Sequence, residues 1–321
     1  MNWVRHLIIP LIATIFWGTA FVPQEIASQT MDAISMNMVV SWLAFLFLLP
    51  CTIAADLLVR RQQKKDGTFQ ELSKGEKKQK TWNAVKGGIA CGVPMAVAVI
   101  LQQEGISLSG AGKSGFLTAL YVVFVPVFSI FLGKKAPRRV WLAVLLALVG
   151  LYFLCIKPGT DLHIQKGDWF LLGCAVTFSI QILAIHHFGQ DGNGLKLSCM
   201  QSLVTAIVCT LGTVFFADFH WSQFFGSMAT IWSVLYVALL SRGLAYTMQF
   251  LAQKGANPML ISLIMSLESV FAVLTSAVVL KEYLSGREYL GCAFVFAAVI
   301  LSQIPLGSLL QSGKQKLFSG K

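Results

Sequence analysis

One long apolar stretch of the sequence, residues 231 to 251, carries polar side chains at helical spacing. Arg242, Tyr246, Gln249 and Gln253 follow one another at intervals of four, three and four residues, which places them on one face of an α-helix. Arg242 lies about ten residues from either end of the apolar region, at the depth of the membrane midplane if the helix spans a bilayer. Because polar side chains are costly in hydrocarbon, the stripe is expected to face protein or water instead of lipid. A guanidinium in that position can bind carboxylates and phosphates.

A carboxyl group lies at a matching depth on the next apolar stretch. If the chain turns near Gly255, Arg242 and Glu268 are each thirteen residues from the turn. An isolated charge at a helix centre costs about 2.5–3.5 kcal/mol on insertion scales. One interpretation is therefore an ion pair that only locks two helices. The other is that Arg242 faces a cavity and attracts an anionic group, with Glu268 released or protonated in one state; a third is that one of them faces a wet crevice.

Further polar or aromatic residues lie within, or near the ends of, other apolar stretches. Each can donate or accept a hydrogen bond in a mainly apolar pocket, although helix packing accounts for each of them equally well. With the residues above, they complete the predicted substrate-binding set: Arg242, Tyr246, Gln249, Glu268, Trp17, Tyr121, Gln102, Gln181 and Gln201.

Patterns typical of catalytic, metal or nucleotide sites are weak in this sequence. Gly110, Gly112 and Gly115 form a G-x-G-x-x-G, but that motif binds nucleotides only between a strand and a helix, so we expect helix packing instead, with Lys113 reaching the interface. His186 and His187 are adjacent and project about 100° apart on a helix, which disfavours a shared metal. We predict no catalytic residue, no metal and no cofactor.

The composition is that of a membrane protein. Hydrophobic residues make up 56% of the 321 residues and charged residues only 12%, against about 25% charged in an ordinary soluble domain. Apolar stretches long enough to cross a bilayer recur along the whole chain. We place them at 7–27, 33–55, 84–103, 113–132, 138–156, 168–188, 197–217, 231–251, 258–280 and 288–306. All seven cysteines fall inside them and are expected to be buried thiols.

The distribution of basic residues predicts the orientation. With the N-terminus inside, 19 of the 25 Lys and Arg residues lie on the inner side and five on the outer side, as expected for cytoplasmic termini. The net charge of +11 therefore reflects a membrane orientation, not nucleic-acid binding. The one long connection, about 56–83, is polar and is expected to be a solvated cytoplasmic loop.

An internal repeat gives the strongest functional indication. Residues 112–154 align with residues 258–302, about 147 positions further along. Because each half contains five crossings, an odd number, the second copy enters the membrane from the opposite side. Inverted repeats are typical of transporters that alternate access to a site near the midplane.

The sequence resembles the EamA-type carriers of the drug/metabolite transporter superfamily. The likeness is carried by WGTAF at 17–21, AGKSGFLTALYVVFVPVFSIFLG at 111–133, GLAYTMQFLAQKGANP at 243–258 and SLESVFAVLTSAVVLKEYLSGREYLGCAFVFAAVIL at 266–301. The resemblance implies an all-α integral membrane protein with ten transmembrane helices as two inverted five-helix repeats, a central cavity, and movement of small organic metabolites or drugs, mostly outward across the bacterial cell membrane. It does not imply a particular substrate.

Two features depart from the family's pattern. The first repeat has Lys134 and Lys135 where the second has Lys281 and Glu282, so one copy lacks the acidic residue. Arg242 also stands where family members usually have a small or neutral residue.

The sequence as a whole predicts a carrier and not an enzyme. The first repeat is expected at 1–156, the second at 157–306 and a cytoplasmic tail at 307–321. We expect a multi-pass protein of the cell membrane that exports a small solute and has no nucleic-acid partner. Transport is either driven by a proton or solute gradient or facilitated, and a homodimer is an open alternative to a monomer. A flippase for lipid-linked metabolites and an intramembrane enzyme are the alternatives.

Overall fold

A computed structural model describes residues 4–68, 73–156, 164–190, 193–280 and 285–303, and this part of the chain is helical with short turns. Lys281, Glu282 and the expected tail at 307–321 lie outside these residues. The α-helices are α1 (Ile9–Ala27), α2 (Ala33–Lys65), α3 (Lys74–Thr118), α4 (Tyr121–Phe131), α5 (Arg138–Cys155), α6 (Lys166–Phe188), α7 (Gly194–Phe216), α8 (Trp221–Phe225), α9 (Met228–Tyr236), α10 (Tyr246–Gln253), α11 (Pro258–Met265), α12 (Glu268–Leu280) and α13 (Gly286–Gln303). Two π-helical segments, Val4–Ile8 and Val237–Ala245, precede α1 and α10.

Long apolar helices make this a multi-pass membrane protein. Seven helices within the described ranges are long and apolar enough to cross a bilayer, and these are Val4–Ala27, Ala33–Lys65, Lys74–Thr118, Lys166–Phe188, Gly194–Phe216, Met228–Gln253 and Pro258–Val279. The sequence predicts ten crossings. Of the remaining regions, 113–132 is divided between the end of α3 and the eleven residues of α4, whereas α5 and α13 have 18 residues each. The exact number of crossings therefore stays a prediction.

The long cytoplasmic loop expected at about 56–83 is largely helical, so that expectation was wrong in extent. Helix α2 continues to Lys65 and α3 begins at Lys74. The Ser73 side chain accepts a hydrogen bond from the Glu76 N–H, and the Glu76 carboxylate accepts one from the Ser73 N–H. This capping box begins α3 before its apolar region. Lys, Arg and Gln are good helix formers, and they extend both helices beyond the apolar regions.

Two helices break at corresponding positions of the sequence repeat. Between α3 and α4 the Leu120 N–H donates to the Leu117 carbonyl at 3.3 Å, and between α11 and α12 the Leu267 N–H donates to the Ile264 carbonyl at 3.1 Å. Both bonds span three residues instead of four, so each turn is tightened. Leu267 lies 147 residues after Leu120, which is the spacing of the repeat.

The first residue after each break is polar. Tyr121 begins α4 and Glu268 begins α12, and both side chains are buried. Helix α1 lies directly against α12. A Cβ atom at Gly18 would lie 2.4 Å from the Phe271 Cβ and 2.5 Å from the Glu268 carbonyl oxygen, so only glycine permits this close approach.

Candidate functional site

A cavity lies between helices from both halves of the chain. It is bordered by α1, α3, α4, α6, the π-helical segment Val237–Ala245, α10, α11 and α12, and it holds about 510 Å³ of empty space counted to its opening. The lining residues are Trp17, Phe21, Gln24, Val99, Gln102, Tyr121, Phe178, Gln181, Ile182, Val237, Ser241, Arg242, Tyr246, Gln249, Met265 and Glu268.

Arg242 is the basic residue of this lining. It lies in the π-helical segment Val237–Ala245 and is only 4% exposed. Its Nη2 donates to the Asn37 Oδ1 at 2.8 Å, and its guanidinium carbon lies 5.8 Å from the centre of the Tyr246 ring. Its Nε and Nη1 have no hydrogen-bond partner in the described protein. π-Helical turns are rare in proteins overall, but they often occur at functional sites. The segment therefore favours a functional role for this position.

Arg242 and Glu268 do not form an ion pair within the described residues. Glu268 lines the same cavity, and its Oε1 is buried without a partner. The described ion pair is instead between Lys113 and Asp168. The interpretation of Arg242 and Glu268 as a purely structural pair is therefore wrong for this conformation.

Aromatic rings form one wall of the cavity. The rings of Trp17 and Tyr246 have their centres 4.9 Å apart at an angle of 58°. Trp17 Nε1 is buried without a partner, whereas the Tyr121 hydroxyl group lies beside the Glu268 carboxyl group. Aromatic faces of this kind attract cationic groups, and their N–H or O–H groups bind polar ones.

Amide side chains supply the rest of the polar lining. Gln181 Nε2 donates to the Gln201 Oε1 at 3.1 Å, which leaves Gln181 Oε1 unpartnered. Gln249 Nε2 contacts the Met265 sulfur at 3.8 Å, and its Oε1 is also unpartnered. Gln102 lines the cavity as a half-buried residue.

The structure brings eight of the nine predicted residues together around this one cavity. The exception is Gln201, which lies behind Gln181 and supports it. Sequence reasoning missed Gln24 and Ser241 in the lining, and it missed Asn37, which holds Arg242. The amides at Gln24 and Asn37 were detectable as uncharged polar residues inside apolar stretches. Whether any of these residues binds a substrate stays a prediction.

The cavity concentrates polar atoms that the protein itself does not satisfy. The atoms buried without a partner in the described chain are Trp17 Nε1, Gln181 Oε1, Arg242 Nε and Nη1, Gln249 Oε1 and Glu268 Oε1. Leaving such a group unpaired costs about 1–3 kcal/mol. The arrangement therefore suits a polar, charged solute that supplies the missing hydrogen bonds.

The glycine motif has a structural explanation. Gly110 has φ +74°, which breaks the helical backbone inside α3, and a Cβ at Gly112 would meet nothing within 4 Å. The expected close packing applies at Gly115, whose carbonyl accepts a hydrogen bond from the Ser269 hydroxyl at 2.8 Å. Lys113 does not extend freely to the interface as expected, because its Nζ pairs with the Asp168 Oδ2 at 2.7 Å. The described residues contain no cluster of three or more His, Cys, Asp or Glu side chains suited to a metal.

Sequence comparison identifies transporters as relatives. The sequence model of the EamA-like transporter family matches residues 5–156 and 165–303. An uncharacterized transporter of Archaeoglobus fulgidus is 28% identical over 291 residues, which covers 90% of this chain and 83% of that protein. A threonine/homoserine exporter of Salmonella typhimurium is 26% identical over 199 residues, covering 60% of this chain and 63% of the exporter, so less than two thirds of its length is matched.

Solved structures share this fold, and one of them serves as an example. It is described only as a crystal structure of a protein, and it superposes with a TM-score of 0.71 over 92% of this chain and 95% of its own, at 16% identity. At this identity the likeness concerns the fold alone.

Proposed function

The chain belongs to the EamA-like transporter family, and from this premise we propose that it exports small organic solutes carrying an anionic group, by alternating access around the central cavity. The observation that carries the proposal is Arg242: a buried guanidinium at the cavity wall, with two nitrogen atoms that no described residue satisfies. A guanidinium binds carboxylates strongly through charge-assisted hydrogen bonds. The names of the family and of its relatives are those of transporters, not enzymes.

The cavity also suits a cationic group on the same cargo. Glu268 presents an unpartnered carboxyl oxygen, and the rings of Trp17, Tyr121 and Tyr246 line the same space. A solute with both a carboxylate and an ammonium group would satisfy Arg242 and Glu268 together. Relatives named as threonine/homoserine exporters handle solutes of this class, which supports the proposal.

Ten crossings in two inverted repeats, 1–156 and 157–306, are part of the proposal. The matching helix breaks support it, and so do the packing partners of each half. Helix α2 packs on α7 and α5 packs on α13, while α1 contacts α12 much as α6 contacts α4. If the first predicted span corresponds to the sixth, the second to the seventh and so on, the contact of α1 with α12 corresponds to that of α6 with α4. The contacts of α2 with α7 and of α5 with α13 then each correspond to themselves, as a two-fold axis between the halves requires. Broken helices at corresponding positions are typical of transporters that bind substrate near the midplane.

The membrane setting completes the proposal. The basic residues favour the cell membrane with both termini in the cytoplasm, and a proton or solute gradient would supply the energy. A flippase would need a groove open to lipid. Arg242 and Glu268 are instead only 4% and 6% exposed, which favours a small solute enclosed by protein.

Transport in proteoliposomes tests the proposal. Vesicles carrying the wild type are loaded with a panel of amino acids, organic acids and aromatic drugs, and efflux is measured. Arg242→Gln is expected to slow efflux of carboxylate-bearing solutes about 10- to 100-fold, since a hydrogen bond to a charged group contributes roughly 1.5–3 kcal/mol.

Two variants serve as controls for this experiment. Arg242→Lys keeps the positive charge and is expected to retain part of the transport. Arg287→Gln removes a cation that lies over the Tyr152 ring, outside the cavity, and is expected to behave as the wild type. If folded Arg242→Gln transports carboxylates as the wild type does, or if Arg242→Gln misfolds while the double variant with Glu268→Gln regains both fold and transport, the proposed role of Arg242 is wrong.

A further inference from the structure

Asn37 makes three hydrogen bonds through its buried amide. It lies on α2 and is 4% exposed. Its Nδ2 donates to the carbonyl oxygens of Ala33 at 2.9 Å and Val99 at 3.1 Å, and its Oδ1 accepts from the Arg242 Nη2 at 2.8 Å. These partners determine the orientation of the amide, because the reverse orientation would place an oxygen against two carbonyls and an NH₂ against a guanidinium.

The contact joins three helical segments from different parts of the chain. Asn37 belongs to α2, Val99 to α3, and Arg242 to the π-helical segment Val237–Ala245, 205 residues from Asn37. Asn37 does not itself line the cavity. It reaches the cavity lining through the Arg242 side chain and through the Val99 backbone, and only the first of these contacts involves a charge.

The partner of Arg242 is neutral, and this has an electrostatic consequence. A carboxylate at position 37 would pair with the guanidinium and cancel most of the positive charge that a cargo meets. The amide fixes one nitrogen of the guanidinium but leaves its charge, and leaves Nε and Nη1 without a partner. A buried charge without a countercharge binds an incoming anion more strongly than a paired one does.

We propose that Asn37 is a positioning residue that holds the Arg242 guanidinium at the cavity wall while keeping its charge available for the anionic group of the cargo. This inference rests on the proposed function. It assigns to a neutral residue outside the cavity a part in selecting the charge of the cargo.

The Asn37→Asp variant separates this role from a merely structural one. An aspartate has nearly the same shape and can still accept the hydrogen bond from Arg242. A purely structural contact would become an ion pair, with transport retained. Our proposal predicts the opposite. The KM for a carboxylate solute rises about tenfold or more, whereas kcat and the KM for the corresponding carboxamide change by less than about threefold. The reason is that the variant weakens binding of the anion equally before and during the transport step, which raises KM and leaves kcat unchanged.

The probes are L-threonine and L-threoninamide, or, if the panel experiment finds a better carboxylate solute, that solute and its carboxamide. Efflux from proteoliposomes gives KM and kcat for both. Gln103→Glu is the matched control, since Gln103 is a buried amide that donates to the Gln24 carbonyl at 2.9 Å and lies outside the cavity lining. It makes the same amide-to-acid change without touching Arg242, and we expect it to leave the ratio of the two KM values unchanged.

A second variant covers the case in which Asn37→Asp does not fold because its new oxygen faces the Ala33 and Val99 carbonyls. Asn37→Ala removes the anchor without adding charge, and it should raise the carboxylate KM relative to the carboxamide KM by about threefold or more. An unchanged KM ratio in whichever variant folds overturns the proposal, as does failure of both variants to fold. A wild type that transports no carboxylate solute refutes the proposed function itself, which keeps the two failures distinguishable.

Discussion

At the scale of single residues, the cavity contains one basic and one acidic side chain that do not contact each other. Arg242 is held by the neutral Asn37 and lies near the Tyr246 ring, while Glu268 faces the same cavity from α12. A pair in direct contact would satisfy itself and leave little for a solute. A separated guanidinium and carboxyl group, with unsatisfied hydrogen-bonding atoms on both, are consistent with the proposed cargo that carries both complementary groups.

Glu268→Gln tests this separation of charges. We expect the KM for a zwitterionic amino acid to rise about tenfold, because the carboxylate partner of its ammonium group is lost. The corresponding hydroxy acid, which lacks the ammonium group, should be transported as well as before or better. Efflux of L-threonine and of its 2-hydroxy analogue from proteoliposomes measures the difference.

Glu104→Gln is the control for this variant, because Glu104 is a carboxyl group of α3 outside the cavity lining. An equal change for both solutes in Glu268→Gln would contradict a direct contact between Glu268 and the ammonium group.

At the scale of helices, the site depends on irregular turns. The breaks before Tyr121 and Glu268 turn the first side chain of each following helix into the cavity, and the π-helical segment Val237–Ala245 does the same for Arg242. Helix α1 can approach the break at Glu268 only because position 18 has no side chain. Both helices contribute residues to the cavity lining, Trp17 from α1 and Glu268 from α12.

Gly18→Ala should destabilise the protein through this contact. The added Cβ would lie 2.5 Å from a backbone oxygen and 2.8 Å from the Ala272 nitrogen, and overpacking of this kind costs typically 1–3 kcal/mol. We expect a lower thermal midpoint in detergent and reduced transport. Gly112→Ala adds the same atom where nothing lies within 4 Å and should leave the midpoint unchanged. Equal midpoints for the two variants would contradict the close approach of α1 and α12.

At the scale of the whole molecule, the charged residues of the connections and the polar residues inside the membrane have different functions. The excess of Lys and Arg in alternate connections is expected to set the direction of insertion, whereas the buried side chains of Arg242, Gln249 and Glu268 line one cavity. The exposed surface of the long helices is otherwise rich in Leu, Ile, Val and Phe, as contact with lipid requires.

Cysteine labelling tests the proposed orientation. In a background with all seven native cysteines replaced, Gly75→Cys should lie inside and Gly286→Cys outside; both positions are exposed, and no contact closer than 3.9 Å is expected for a Cβ at either. A membrane-impermeant maleimide should label Gly286→Cys in intact cells, and Gly75→Cys only after the membrane is opened. The reverse pattern would invert the proposed topology.

Much of the architecture followed from local features of the sequence. Because hydrocarbon thickness sets the length of an apolar helix, the predicted spans fall largely on helices in the described ranges, although 113–132 and 258–280 are each divided between two helices. The polar extensions of α2 and α3 were missed because hydropathy does not report helix beyond the membrane. The sequence segments that contain or adjoin Trp17, Arg242 and Glu268 also resemble the transporter family, and the match to the family's sequence model establishes membership.

Tertiary structure alone decided how the polar residues are paired. Sequence spacing gave Arg242 and Glu268 similar depths, but depth does not determine the direction in which a side chain points or the helix that it faces. The π-helical segment alters the rotation of Arg242, and the packing of α2 beside it provides Asn37 as a partner from 205 residues away. The same reasoning applies to Gln201, whose amide faces Gln181 instead of the cavity. Periodicity along one helix predicts a polar face, whereas the contact of that face with another helix depends on how the two halves of the protein pack together.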